Sequence, residues 1–264
     1  MEKRVSKETL ITAAGGNGTA ISIIEEPLTR SEYELLGKDL GERWEHDGAE
    51  QAGFLVLNKH HFEMAGGEFC GNASRAAALL FSNADGVEDV SFTVSGFDGT
   101  VSALVKQTDD THYQVRCVFP GLPTDVKEVN LDDGTPASIV DLGGIVHVVI
   151  EAPFPVDPAV YESEHRAITE KFDLGERDAV GVVWFERIGN AIQMHPVVWV
   201  KAINTFFYET SCGSGTIAVG RVTKVPSIIQ PSGESISADI TEDAVILESN
   251  MEVISIDHQV RTGA

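Results

Sequence analysis

The chain has 264 residues, room for one large domain or two ordinary ones, and its 42% hydrophobic content can fill a core. Acidic residues outnumber basic ones 41 to 19, and the formal net charge of −22 repels nucleic acid and anionic membrane surfaces, excluding a polyanion-binding role. No apolar run approaches the ~18 residues of a membrane span, MEKRVSKETLITAAGG lacks a signal peptide's apolar segment, and three cysteines make no disulfide framework, so a soluble cytoplasmic protein with reduced thiols is expected.

Near the start, GGNGTA (15–20) resembles a phosphate loop only loosely, since it lacks the lysine. The stretch 29–44 reads as a helix, with a capping box at Ser31 and Glu34 and an apolar face of Tyr33, Leu36, Leu40 and Trp44. His60 and His61 are adjacent, and on a strand they would point to opposite faces, which disfavours a metal site. EFCGNASRAAALLF (68–81) sets Cys70 at the start of a helix-forming run. Residues 90–105 follow as a hairpin centred on Asp98-Gly99, and HYQVRCVF (112–119) alternates as a strand with Cys117 as a buried small hydrophobe. A second amphipathic helix spans 156–172, capped by Asp157 with Pro158 in its first turn and Val160, Tyr161, Ile168 and Phe172 on its apolar side. AVGVVWFE (179–186) and AIQMHPVVWV (191–200) are strands, YETSCGSGTIAVG (208–220) gives Cys212 the setting of Cys70, and SISADITEDAVILES (235–249) is strand again.

The order therefore repeats. The two cysteines lie 142 residues apart in the same frame, Cys-Gly-(Asn/Ser)-x-(Ser/Thr)-x-Ala. That is the pattern of two similar domains from an internal duplication, and a pseudo-twofold would set the two helix starts face to face. Helix N-termini carry partial positive charge and free N–H groups, which lower a thiol's pKa and bind a carboxylate. Glycine after each cysteine lets a ligand approach the backbone closely. Two such starts aimed at one point can hold an amino acid by its carboxylate, remove the α-proton with one thiolate and return a proton from the opposite thiol. No cofactor and no metal are needed for that. A cysteine hydrolase would need a paired histidine; two structural cysteines remain the bland alternative.

At these residues the sequence resembles the diaminopimelate epimerase family, cofactor-independent racemases and epimerases with two catalytic cysteines. The resemblance covers nearly the whole chain, through GGNG, AEQAGF (49–54), GEFCGNASR, GGIVHVV (143–149) and ETSCGSGT. It implies an α+β fold of two pseudo-symmetric domains, each a curved, mostly antiparallel sheet around a central helix, with the active site between them. Residues 1–116 plus about 250–264 would carry Cys70, and residues 117–249 Cys212. Cys70 and Cys212 would be the acid/base thiols. Asn17, Asn72 and Glu209 would lie near the α-amino and α-carboxylate groups, with Gly71, Asn72, Gly213 and Ser214 amides on the carboxylate. Glu50 and Gln51 match the family's acidic-Gln pair, Glu50 ordering the substrate or closing the domains, and His147 is either a substrate contact or a core residue. The expected partner is a small-molecule amino acid, with no nucleic acid and no membrane, and a homodimer is allowed.

The departures are informative. The family's Glu-Arg pair about eight residues before the second cysteine reads Ile203-Asn204, its Asn before Pro-His is lost in Gly144-Ile145-Val146-His147, and an Asn near 181 is Gly181. Within the family the chain is most similar to the histidine-racemising branch that supplies D-histidine for opine-type metallophores, at EQAGF, GGEFCGNAS, AVGVVWFE, YETSCGSGTIAVG and QPSGESI (230–236). Another amino acid, diaminopimelate included, and a non-catalytic amino-acid-binding module remain the alternatives.

Overall fold

The computed structural model describes residues 7–202 and 204–257. The first half holds β1 (Lys7–Ala13), β2 (Gly16–Ile24), α1 (Arg30–Trp44), β3 (Ala49–Val56), β4 (His61–Met64), α2 (Gly71–Asp85), β5 (Asp89–Val94), β6 (Phe97–Gln107) and β7 (His112–Pro120). There follow β8 (Asp125–Asn130), β9 (Pro136–Asp141), β10 (Val146–Glu151), α3 (Pro158–Lys171), β11 (Ala179–Ile188), β12 (Ala191–Val200) and β13 (Thr205–Tyr208). The chain ends through α4 (Gly213–Thr223), β14 (Ser227–Ile229), β15 (Ser235–Ile240) and β16 (Ala244–Asp257).

Strands β1 to β7 pair in chain order, and β16 pairs with both β7 and β1, closing an eight-stranded ring. From β16 the sheet continues through β15, β14, β12, β11, β10, β9 and β8, with β13 hydrogen-bonded to β12. Helix α2 contacts β1, β2, β4, β5, β6, β7 and β16 of the ring, and every residue from Gly71 to Ser82 is buried. A helix enclosed on all sides must be largely small and apolar. The run of Ala73, Ala76, Ala77 and Ala78 meets that demand, while Leu79 and Phe81 fill the space out to the sheet, Phe81 lying 5.1 Å from the Phe92 ring. Burying each such large side chain stabilises the fold by about 1.5–3 kcal/mol. Helix α4 packs on β9, β10, β11, β14 and β15, and both helices touch β16. The shared strand fixes one helix relative to the other.

Both β7 and β16 run unbroken through 116/117 and 249/250, the limits drawn from the sequence; residues 1–6 and 258–264 of those segments lie outside the described residues. Among the described residues no helix is long and apolar enough to cross a membrane.

Several local expectations are corrected. Helix α1 is capped by Thr29 with Glu32, not by Ser31 with Glu34: Glu32 Oε2 accepts from the Thr29 N–H at 2.8 Å, and the Thr29 side chain accepts from the Glu32 N–H. Its buried face is Tyr33, Gly37, Leu40 and Trp44, and Leu36 is 42% exposed, because Gly37 rather than Leu36 sits against Ala65. Val160 on α3 likewise points outward, while His165 and Ile168 are buried. The hairpin turns at Ser95-Gly96, not at Asp98-Gly99, which lies inside β6; Val94 pairs with Phe97, and Gly96 supplies the positive φ of 69°. Of GGNG, Gly15 lies in the β1–β2 hairpin turn with Ala14, and Gly16, Asn17 and Gly18 open β2.

Candidate active site

Cys70 and Cys212 are the N-cap residues of α2 and α4, in nearly the same extended backbone conformation, with φ of −131° and −142°. Each sulfur accepts from the amide three residues on, Ala73 at 3.4 Å and Gly215 at 3.2 Å. The repeated hydroxyl residue has one task in both copies: Ser74 Oγ donates to the Cys70 carbonyl and Thr216 Oγ1 to the Cys212 carbonyl, each at 2.7 Å. The frame seen in the sequence is thus a capping device used twice.

The two helix starts abut. A Cβ on Gly213 would fall 3.1 Å from the Gly71 carbonyl carbon and 3.1 Å from the Asn72 nitrogen. A Cβ on Gly71 would fall 3.4 Å from Gly213 Cα and 2.6 Å from a Leu247 methyl. Asn72 and Asn17 both donate their Nδ2 groups to the Ser211 carbonyl, at 3.0 and 2.9 Å, tying the segment before Cys212 to the first half of the chain. Gly213→Ala, which meets Asn72 Oδ1 and the backbone of Gly71 and Asn72, is expected to lower kcat/KM about tenfold or more by prising the starts apart, whereas Gly71→Ala first meets a movable methyl and should cost less. Steady-state kinetics on the two variants compare them.

Cys70, Cys212, Glu50, Gln51, Glu209, Gly213 and Ser214 all line one cavity of about 60 Å³. Its remaining wall is largely apolar, with Phe69, Ile145, Val198, Val200 and Phe207, and a further carboxylate, Glu68. Asn17 stands behind this lining: its N–H donates to Thr210 Oγ1 at 2.9 Å, and Thr210 Oγ1 donates to Glu50 Oε1 at 2.7 Å. Asn17 Oδ1 and Glu50 Oε2 are buried acceptors without a partner. His147 is not brought in. It is fully buried on β10, its ring nitrogens have no partner, and burial pushes its imidazole down to about 3. A Cβ on Gly181 would lie 2.1 Å from His147 Nδ1, so the imidazole occupies the space a side chain at 181 would need.

The two thiols differ in what accepts their proton. The Cys70 thiol donates to Gln51 Oε1 at 3.2 Å, and Gln51 is itself held by Thr19 at 2.8 Å. Cys70 keeps a partly exposed edge, yet withdrawal of its sulfur from water, reinforced by the Glu209 carboxylate, pushes the thiol up to about 12. Cys212 is 1% exposed, and its sulfur is a hydrogen-bond neighbour of the Glu209 carboxyl; burial and that negative charge raise it strongly. Burial first, then the Glu50 and Glu68 charges, lift Glu209 itself to about 8. Among the described lining residues there is no Lys, Arg or His. The nearby cation is Arg75, fully buried on α2 and donating to Asn72 Oδ1; burial pushes it down to about 10, partly offset by Cys117, Cys70 and Cys212.

Sequence reasoning missed Glu68, Arg75, Thr210 and Gln230. Gln230 is fully buried, accepts from the Cys212 N–H at 2.9 Å and donates to Thr216 Oγ1 at 3.1 Å. The signal for it was present in QPSGESI. Of the pair replacing the family's Glu-Arg, Ile203 lies outside the described residues, and Asn204 accepts from the Trp199 indole at 3.0 Å.

Solved structures share the fold across almost the whole chain. A hydroxyproline epimerase from Agrobacterium vitis superposes with a TM-score of 0.59 at 13% identity, over 99% of this chain and 94% of that one. A phenazine biosynthesis protein of the PhzF family from Enterococcus faecalis does so with a TM-score of 0.56 at 16% identity, over 95% and 97%. The expected fold therefore holds as a sheet-rich α+β fold of the epimerase and PhzF kind, with a closed barrel. The chain is an isomerase of the racemase and epimerase class. A family model described as "Histidine racemase CntK N-terminal domain" matches residues 16–264, and the chain belongs to that family. It is 28% identical over 217 residues to a histidine racemase of Fusobacterium nucleatum, covering 78% of this chain and 79% of that one.

Proposed function

We propose that the protein interconverts L- and D-histidine without a cofactor, using Cys70 and Cys212 as acid and base on opposite faces of the α-carbon. The observation that carries this reading is the pair of cysteine-capped helix starts abutting at one cavity. The α-carboxylate lies against the free amides of the two starts, where developing negative charge is stabilised. The α-ammonium is met by the unpartnered Glu50 Oε2 of the lining, with the unpartnered Asn17 Oδ1 behind it. The arriving ammonium favours the carboxylate form of Glu209, which can then take the proton of Cys212. The thiolate then removes the α-proton, its electron pair spreads into the carboxylate, and the opposite thiol protonates the other face. In the reverse direction the thiols exchange roles.

The two halves, each a cysteine-capped helix against its strands, support a duplicated pair of domains with the site between them. D-histidine so made would feed an opine-type metallophore, the role implied by the resemblance. L-histidine incubated with the protein alone should lose its circular dichroism signal and exchange its α-hydrogen in heavy water. Failure of both, with the fold intact, would overturn the reading.

A further inference from the structure

We infer that Glu68 reads the substrate's side chain, its carboxylate accepting an N–H of the imidazole; the inference rests on the histidine racemase reading. Glu68 lies two residues before Cys70, on the segment from β4 into α2, and is only 9% exposed. Its Oε2 is buried without a hydrogen-bond partner. The head group occupies space left by a missing side chain, for a Cβ on Gly66 would fall 2.4 Å from Glu68 Oε2 and 3.1 Å from Val200 Cγ1. Glu68 lines the cavity of both cysteines together with Phe69, Ile145, Val198, Val200 and Phe207.

A carboxylate oxygen kept in such a place without a donor is costly, and a donor from the ligand removes that cost. Glu50 and Glu209 are already engaged with Thr210 and Cys212 beside the reacting centre. Glu68 is the carboxylate of this cavity left for the side chain. A neutral imidazole offers one N–H and an imidazolium two, on a flat ring that suits an apolar wall. A second carboxylate on the substrate would be repelled, and an apolar side chain would leave Glu68 unpaired. Sites built around such a buried acceptor reject analogues lacking the donor far more strongly than a hydrophobic pocket rejects a methyl group.

The test compares wild type, Glu68→Gln and Glu68→Leu on L-histidine and on β-(2-thienyl)-L-alanine, whose ring has the same size but no N–H. Glu68→Gln keeps the shape, and a thermal melt checks that it folds. In Glu68→Leu the KM for histidine should rise roughly 10- to 100-fold, the loss of one hydrogen bond to a charged group, with a smaller change in kcat, and in Glu68→Gln, which keeps an acceptor oxygen but not its charge, it should rise by less. The preference for histidine over the thienyl analogue should shrink in both variants. Wild-type kinetics of Glu68→Gln on histidine would overturn the inference while leaving the racemase reading intact. An equal loss on both substrates would also overturn it, by marking Glu68 as structural. A wild-type protein that racemises another amino acid but not histidine would overturn both.

Discussion

Cys70→Ser and Cys212→Ser are each expected to lower histidine racemisation by about 10²- to 10⁴-fold, the usual contribution of a positioned acid or base. Serine is a good N-cap and nearly the size of cysteine, so the helix starts should survive the change. What is lost is acidity, because a hydroxyl neither ionises readily nor releases a proton to the carbanion. Cys117→Ala serves as the control: Cys117 is fully buried in the core and does not line the cavity. Each single variant keeps a thiol on one face, so weak α-hydrogen exchange in heavy water should persist for opposite enantiomers in the two variants. The residual rates should differ as well. Cys70→Ser retains the Cys212–Glu209 pair, in which a carboxylate can take the thiol's proton. Cys212→Ser retains Cys70 against Gln51, an amide that cannot. Exchange should therefore be faster in Cys70→Ser, as nuclear magnetic resonance of each enantiomer would show. Equal loss for both enantiomers in both variants would count against two one-faced bases.

How much of this was open to reading depended on whether the cause was local. The cysteine frame was legible because it is a capping motif, and its cysteine and hydroxyl positions answer to contacts within a turn of helix, whereas its glycines answer to the opposite helix start and Leu247. The alanine run was legible as helix, but nothing in it told that α2 runs inside a closed ring, which depends on β16 pairing with both β1 and β7. The capping box slid from Ser31 to Thr29 because both hydroxyls precede a suitably spaced Glu, and tertiary packing of Gly37 on Ala65 chose between them. The hairpin centre moved for a similar reason: Asp-Gly is the stronger local signal, yet Gly96 packs against the Phe69 backbone, where a Cβ would fall 2.2 Å from its nitrogen. Glu68 was invisible in sequence because an isolated Glu on a strongly acidic chain reads as surface. Only burial separates it from the rest.

Glu209→Gln should lower kcat/KM by about 100-fold and remove the acid limb of its pH profile. The ordinary carboxyl value near 4.5 is lifted to about 8, chiefly by burial. Below that pH Glu209 is neutral and cannot relieve Cys212 of its proton, so kcat/KM of the wild type should climb as pH rises toward about 8 and then level. Cys70 cannot produce this limb, since its thiol is pushed up to about 12. In kcat the limb should move to lower pH, because the bound ammonium favours the carboxylate. Stability runs the other way. A carboxyl whose folded value exceeds its unfolded one binds more protons in the native state between the two, so unfolding free energy falls as pH rises from about 4.5 to about 8. Glutamine stays neutral throughout and should show less of that decline. The variant ought then to melt at a higher temperature than the wild type above pH 8 while being nearly inactive there. A wild-type profile flat across this range, or a variant that keeps the limb, would remove Glu209 from the proton path. On the proposed mechanism, the buried carboxylate that would make Cys212 usable as a base is thus a group the fold would be more stable without.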